Sequence, residues 1–403
     1  MRSAVVPHSL RAALVLAALA GCAGEPTEPD VKTDAPLAAT ASAPLSFAQL
    51  SVGYFHTCGV TISGKAYCWG ANDWGQLGDG HPIINVAITR PVAVAGGLTF
   101  RHVSAGYQHT CGVTTDGLVY CWGENSWGEI GNGTSAQGND GHFMYSTPTR
   151  VSGDRRYRQV RVGLQHSCAI TQADVAFCWG YGGDGELGDG GATYRTRPVR
   201  VLGDHTWRQL SGGGRHTCGV TLENRLYCWG YNEKGQLGIG NTLDKSQPVP
   251  VSGGLAYRQV EAGTEHTCAI TTDDRAYCWG LNFAGALGDG TKSDRLTPGA
   301  VAGLRRWLDL NAADLHSCGV TASARVYCWG RNDLGQLGDG TATDRLTPSP
   351  AGTTLTFRMV SGNTFHSCGV TTTNLAYCWG SGGLLGDGTF TRRFSPVPVV
   401  GPS

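Results

Sequence analysis

Between residues 47 and 400 the chain is built of short segments in which apolar and polar positions alternate every second residue, separated by Gly, Asp and Asn. One stretch reads Arg90-Pro91-Val92-Ala93-Val94, Phe100-Arg101-His102-Val103-Ser104, His109-Thr110-Cys111-Gly112-Val113-Thr114 and Leu118-Val119-Tyr120-Cys121-Trp122. A two-residue rhythm rich in Val, Tyr, Trp and Thr fits strands half buried on a pleated surface. Thr115-Asp116-Gly117 supplies hairpin chemistry, since Gly accepts positive φ without a steric penalty.

The same four segments return seven times. The histidines that open one of them are His56, His109, His166, His216, His266, His316 and His366, spaced by 53, then 57, then a constant 50 residues. A period near fifty with strand content predicts an all-β fold, a seven-bladed β-propeller with four strands per blade. The first copy enters at Phe47-Ala48-Gln49-Leu50-Ser51, which matches the second strand of the other copies, and the chain finishes on Pro396-Val397-Pro398-Val399-Val400, which matches the first. This phase predicts that the C-terminal strand closes the ring by pairing beside Phe47 to Ser51 in the first blade, removing two open edges. Truncation before Ser395 is then expected to destabilise the whole ring.

A propeller over 47–400 leaves no room for a second domain in 403 residues. Lys plus Arg and Asp plus Glu are 31 each, so the chain lacks the basic footprint of a nucleic-acid binder and no nucleic-acid partner is expected. The cluster Arg155, Arg156, Arg158 and Arg161 reads as a solvated face.

The first 21 residues carry Arg2 and Arg11 and then the run Ala12 to Leu19, which is short for a membrane span. With Leu19-Ala20-Gly21-Cys22 they resemble a bacterial lipoprotein signal and its lipobox. That resemblance implies a lipidated Cys22, export, and anchoring to the cell envelope, at the outer membrane or cell surface. An ordinary cleaved secretory signal is the alternative. Residues 22–46, the lipidated Cys and a Pro-, Ala- and Thr-rich stretch, read as a disordered tether of roughly 25 to 30 Å reach.

The other fourteen cysteines form pairs with nine residues between them: Cys58 and Cys68, Cys111 and Cys121, Cys168 and Cys178, Cys218 and Cys228, Cys268 and Cys278, Cys318 and Cys328, Cys368 and Cys378. A hairpin turning near residue 63 sets each pair directly across two strands, close to disulfide distance, and export favours oxidation. One disulfide per blade is expected, although spacing alone leaves inter-blade connectivity open. A zinc site from His56, Cys58 and Cys68 competes, but the short Cys-x2-Cys knuckle is missing. A histidine present in every blade meets a need of the blade, so the seven are expected to be structural and bonded to neighbouring backbone. Asp79, Asp189, Asp289, Asp339 and Asp387 in Gly-Asp-Gly read as turns rather than calcium ligands, and no metal or cofactor is expected.

The run Gly-x-x-His-Thr-Cys-Gly-Val-Thr, followed by Tyr-Cys-Trp-Gly-x-Asn-x-x-Gly-Gln-Leu-Gly-Asp-Gly, resembles the regulator-of-chromosome-condensation repeat over residues 47–400. The resemblance implies a seven-bladed propeller. It departs from the pattern at its cysteines, at Trp179-Gly180-Tyr181-Gly182, which lacks the Asn, and in the shortened seventh copy, Trp379 to Gly386. Some members exchange guanine nucleotides on a small nuclear GTPase, and a secreted bacterial member inhibits β-lactamase through loops on one face.

Subtracting the repeat leaves Trp74 and Trp127 as the tryptophans the blade does not need. The same subtraction leaves Tyr54, Phe55, Tyr107, Phe143, Tyr145 and Tyr181, with Tyr194, Phe365, Phe390 and Phe394, in an arc of blades seven, one, two and three, whereas blades four to six add only Tyr231 and Phe283. Aromatics on loops of a rigid scaffold favour binding. The function expected is a monomeric envelope scaffold that binds a protein through one face. A carbohydrate or cell-wall binder is the alternative, and a hydrolase or lyase in the channel, or nucleotide exchange by analogy, ranks below. No unrepeated catalytic constellation stands out, so the chain is not read as an enzyme.

Overall fold

The computed structural model describes residues 43–81, 86–137 and 143–402. The signal, Cys22 and nearly all of the tether lie outside the described residues. Among those described there are 28 strands in seven four-stranded antiparallel sheets. In chain order β1–β4 occupy 47–93, β5–β8 100–150, β9–β12 157–200, β13–β16 207–250, β17–β20 257–300, β21–β24 307–350 and β25–β28 357–398. The first strand of every blade lines a cavity on the ring axis, and the fourth lies outermost.

In blade one, β1 (Phe47–Val52) rises to a tight turn, β2 (His56–Thr61) descends to the hairpin at 62–65, β3 (Ala66–Gly70) rises again, and a long loop leads to β4 (Ile88–Ala93). The turns before the histidines and the long loops therefore share one end of the ring, called here the upper face. Hairpins and blade-to-blade connections share the lower face. Each outer strand contains a proline, from Pro91 to Pro396, whose missing N–H suits an unpaired edge.

The C-terminal strand does not pair beside Phe47 to Ser51. β28 (Arg393–Pro398) pairs with β27 (Ala376–Gly380), with Cys378 opposite Val397, and β1 pairs only with β2. The repeat unit begins one strand later than its sequence phase suggests, so seven whole blades fit between Phe47 and Pro398. The C-terminal segment still helps to close the ring, through side chains. Val399 and Leu385 share a core with Phe47, Leu50 and Trp69, and Phe47 N donates to Asn374 O at 2.8 Å. This closing seam has the composition of the others: Cys58, Val60, Cys68 and Leu77 of blade one pack on Phe100, Val103 and Trp122 of blade two. The core is thus a ring of seven inter-blade cores, and blades gain stability from their neighbours.

Candidate functional site: an aromatic upper face on a sevenfold frame

The frame is held by a belt of side chains just beneath the upper face. Each histidine Nε2 meets the hydroxyl that follows the histidine of the next blade: His56 to Thr110 at 2.7 Å, His109 to Ser167 at 3.0 Å, His166 to Thr217, His216 to Thr267, His266 to Ser317 and His316 to Ser367 at 2.8 Å, and His366 to Thr57 at 2.6 Å. Six of these hydroxyls donate onward to a backbone carbonyl of the preceding blade, as Thr110 does to Gln76 O at 2.9 Å. Their proton is committed, so the imidazole supplies the other one, as the Nε2–H tautomer. The partner is therefore a neighbouring side chain rather than backbone. Burial holds His56, His109, His216, His316 and His366 down to about 3 and His166 and His266 to about 4, so all seven are neutral.

The motif around Trp-Gly-x-Asn-x-x-Gly-Gln-Leu-Gly builds the rest of the seam. Asn72 Oδ1 accepts from Leu77 N at 3.1 Å, which folds the loop so that Leu77 enters the next blade's core. Gln76 O then accepts from Trp122 Nε1 at 2.9 Å, and all seven Cys-Trp-Gly tryptophans make the equivalent bond. Gly78 has φ +67°, and a Cβ there would lie 2.6 Å from Trp122 Nε1, so only glycine fits. The Gly-Asp-Gly aspartates are turn residues: Asp289 Oδ1 accepts from Thr291 N at 2.9 Å, and Oδ2 pairs with Arg295 at 2.6 Å. Four others follow suit, with Arg195, Arg345, Arg393 and, for Asp79, His81.

All fourteen paired cysteines form disulfides within their blades, with Cα atoms 4.0–4.1 Å apart across β2–β3 and its equivalents. They are fully buried in the inter-blade cores, which leaves no thiolate for zinc.

On the upper face, Tyr54, Phe55, Tyr107 and Phe365 join into one cluster at the axial mouth. Tyr54 meets Phe55, Tyr107 and Phe365 with centroids 5.3, 4.9 and 5.9 Å apart, and Phe55 stacks on Phe365 at 5.5 Å. Burial, then the charge of Asp314, pushes the Tyr54 hydroxyl up to about 12. Farther out, Trp74 Nε1 donates at 2.7 Å to Gln108, whose amide donates to Glu124 Oε2 at 3.0 Å. That bond places Trp74 on the same face as the residues before each histidine. Trp127 meets Tyr181 edge-on at 5.2 Å and Tyr194 at 6.1 Å. Trp74, Trp127 and Tyr181 are all half buried, with ring surface open to solvent.

Beneath them, buried acids replace two glutamines of the motif. Glu129 Oε2 accepts from Trp127 N at 2.8 Å and Glu186 Oε2 from Asp184 N at 2.9 Å. Burial pushes Glu186 up to about 8 and Glu129 well above its usual value. Tyr145 is tied down, with its hydroxyl bonded to Asn132 and Thr134 at 2.9 Å and its ring against the core of blades two and three. Phe143 is exposed at the rim of blade two. Toward blades four to six charges join the rings: Arg215 of blade four pairs with Asp184 of blade three at 2.5 Å and covers Tyr231, Arg331 pairs with Asp333 at 2.7 Å, and Phe283 is exposed in blade five.

The arginine cluster divides. Arg155 and Arg156 are exposed on the lower face and Arg158 pairs with Asp174 at 2.8 Å, but strand alternation turns Arg161 into the axial cavity. There it joins His102, Glu261, Asp309 and Asn311, an unrepeated group that sequence reading passed over. The available signal was a departure from Gln-x-Ser in the inner strands, as in Gln49-Leu50-Ser51 and Gln209-Leu210-Ser211.

Comparison with known proteins places the fold in context. In the Arabidopsis thaliana ultraviolet-B receptor UVR8, 146 residues are 32% identical, covering 36% of this chain and 32% of the receptor. The rat probable E3 ubiquitin-protein ligase HERC4 is 28% identical over 152 residues, 37% of this chain and 14% of the ligase. The chain thus spans about a third or less of these relatives. Among solved structures, human WBSCR16 has a TM-score of 0.75 at 21% identity, covering 81% of this chain and 88% of that one. Saccharomyces cerevisiae Prp20p has a TM-score of 0.67 at 20% identity, covering 78% and 80%. These two share the fold. The model of the RCC1-like domain matches residues 19–309, and that of the regulator of chromosome condensation (RCC1) repeat matches 311–336. With most of its length matched, the chain belongs to the RCC1-like domain family.

Proposed function

We propose that this protein is a binding scaffold which grips a protein partner through the aromatic arc of its upper face, and that it is exported and lipid-anchored to the bacterial cell envelope through Cys22. The observation that carries the binding reading is the contiguous run of rings from Phe365 through Tyr54, Phe55 and Tyr107, with Trp74 and the Trp127–Tyr181 pair outside it, none demanded by the blade. Half-buried Trp and Tyr on a preorganised surface lose little conformational freedom on binding and supply large contact areas. Two structures of the same fold are described as yeast RCC1 bound to Kap60 and as Prp20p with binding properties to Gsp1p and histones, so propellers of this kind hold proteins. The export reading rests on the lipobox-like Leu19-Ala20-Gly21-Cys22 and on seven disulfides, which suit an oxidising compartment.

The test is affinity capture from native envelope and secreted fractions with the full chain and with a variant carrying Trp74→Ala, Trp127→Ala and Tyr181→Ala. A partner held by the parent and lost by the variant supports the reading; equal capture by both moves the site off the arc. The edge-on Trp127 and Tyr181 rings would also stack on sugar faces, and competition by soluble glycans would favour that second reading. Anchoring is tested separately: Cys22→Ser is expected to shift the protein from the membrane to the soluble fraction, and an unchanged distribution would rule out the lipid.

A further inference from the structure

The axial cavity carries charges that the blade frame does not require. In the inner strands the third residue bridges to the next blade: Gln49 donates to Val103 O at 2.9 Å and accepts from Val103 N at 3.1 Å, and Gln209 treats Val260 the same way. The fifth residue is a serine in four blades. Its hydroxyl accepts the N–H of the neighbouring inner strand, as in Ala105 to Ser51 at 2.9 Å, Val162 to Ser104 at 3.2 Å, Ala262 to Ser211 at 2.9 Å and Val52 to Ser361 at 3.0 Å. The other three blades place Arg161, Glu261 and Asn311 at that position, and two blades put His102 and Asp309 at the third. All five line the same axial cavity, which has a volume of 240 Å³.

The charges are sorted around the axis. Blades two and three form a cationic side, where Arg161 Nη1 donates to His102 Nε2. Burial and the neighbouring guanidinium hold His102 well below the usual imidazole range, so it is neutral there. Blades five and six form an anionic side. Glu261 accepts from Gln209 Nε2 at 2.9 Å and from Ser211 Oγ at 3.3 Å, and Asp309 accepts from Gln259 Nε2 and Val360 N, each at 2.9 Å. Arg161 Nε, His102 Nδ1 and Asn311 Oδ1 are buried without a partner. Among the described residues no carboxylate lies within ion-pair distance of Arg161 and no basic side chain within that distance of Glu261 or Asp309. Opposite charges half buried around a confined cavity yet held apart on different sides of it forgo the contact that would offset their partial desolvation.

We propose that the axial cavity is a binding site for a small zwitterion, its anionic end on Arg161 and its ammonium end between Glu261 and Asp309. The Asn311 carbonyl accepts a further ammonium N–H. The site is separate from the aromatic arc, so it stands or falls independently of the partner reading.

The experiment titrates the full chain calorimetrically with glycine, β-alanine, 4-aminobutyrate and 6-aminohexanoate, and with butylamine and butyrate as single-charge controls. Saturable one-to-one binding that peaks at one chain length is expected, with each single-charge control weaker by about tenfold or more, as loss of a charge-assisted contact implies. Arg161→Ser and Glu261→Ser install the residue that four sister blades use, so the seam is kept. Each is expected to weaken binding by a similar factor while the melting temperature stays near that of the parent. Glu261→Gln, neutral and of the same shape, serves where a serine variant fails to fold. No saturable binding at any length, binding unchanged in the variants, or butylamine binding as tightly as the best amino acid would each overturn the proposal.

Discussion

His56 and Phe55 are neighbours in the chain and belong to two regions under opposite constraints. The histidine is fully buried, crosses to the next blade at 2.7 Å, and has a counterpart in all seven copies. Phe55 is half buried, packs its ring against Tyr54, Tyr107 and Phe365, and has as counterparts Gln108, Gln165, Arg215, Glu265 and Leu315, with only Phe365 repeating it. The belt is uniform because every seam poses the same problem, a buried donor and a buried carbonyl to be satisfied across a close-packed interface. The exposed ring positions of the upper face vary because the seam is built by other residues of the same loops, such as Asn72, Gln76 and Leu77. Sevenfold sameness thus marks what folding needs, and departure from it marks what folding leaves free.

The largest break in this comparison should come from acid. Each belt histidine titrates near 6.5 when unfolded but near 3 to 4 when folded, so below pH 6.5 the unfolded chain binds more protons and stability falls with pH. Raised carboxylates such as Glu186, at about 8, act in the opposite sense between their unfolded value near 4.5 and their folded value, gaining stability as pH falls. Below about 4.5 that compensation ends, and each histidine costs about 1.4 kcal/mol per pH unit. Thermal melting followed from pH 7 to 3 should drop most steeply between 4.5 and 3. A melting temperature flat across that interval would show that the belt is not neutral and buried in solution.

The disulfides come next. Each closes a short hairpin loop, and the chain-entropy model assigns about 2.5 to 3 kcal/mol to a loop of about eleven residues. Cys218→Ala with Cys228→Ala should lower stability by about that amount or somewhat more, because the sulfurs also fill the core beside Tyr257 and Trp279. The same double change in another blade should cost the same, since the seams are equivalent. Unequal costs in denaturant unfolding would break the uniformity of the frame.

Much of this frame was legible in the chain. The strand rhythm, the fifty-residue period and the ten-residue offset of Cys58 and Cys68 lead directly to blades and to one disulfide each, because hairpin register follows from local turn chemistry. The phase of the blade was not legible, since a periodic pattern has no intrinsic start and the long loop after Gly70 hides the pairing of β3 with β4. The histidine's partner had a signal that passed unused: the next residue is Thr or Ser in every copy, as in Thr57, Thr110 and Ser167. Arg161 reads as one more solvated charge beside Arg155, Arg156 and Arg158, and only its strand parity with Gln159 turns it toward the axis. That Trp74 shares a face with Tyr107 follows from the antiparallel strand order once the phase is known, but the bond from Trp74 to Gln108 is a side-chain event between blades that no sequence period reports.

The smallest stability effect should belong to the aromatic arc, and it separates the two regions most sharply. Trp127 is half buried and meets Tyr181 at 5.2 Å edge-on, a contact worth about 0.5 to 1.5 kcal/mol. Trp127→Ala should therefore cost about 1 kcal/mol, whereas truncating Trp122, which is fully buried and bonded to Gln76 O in the seam, should cost about 3 to 5 kcal/mol. The two tryptophans stand five residues apart, so the pair tests position in the frame rather than residue type. If Trp127→Ala proved as damaging as Trp122→Ala in thermal unfolding, the upper-face rings would be part of the frame, and their clustering would no longer argue for a partner. A small cost combined with lost capture would leave binding as the reason for keeping a tryptophan there.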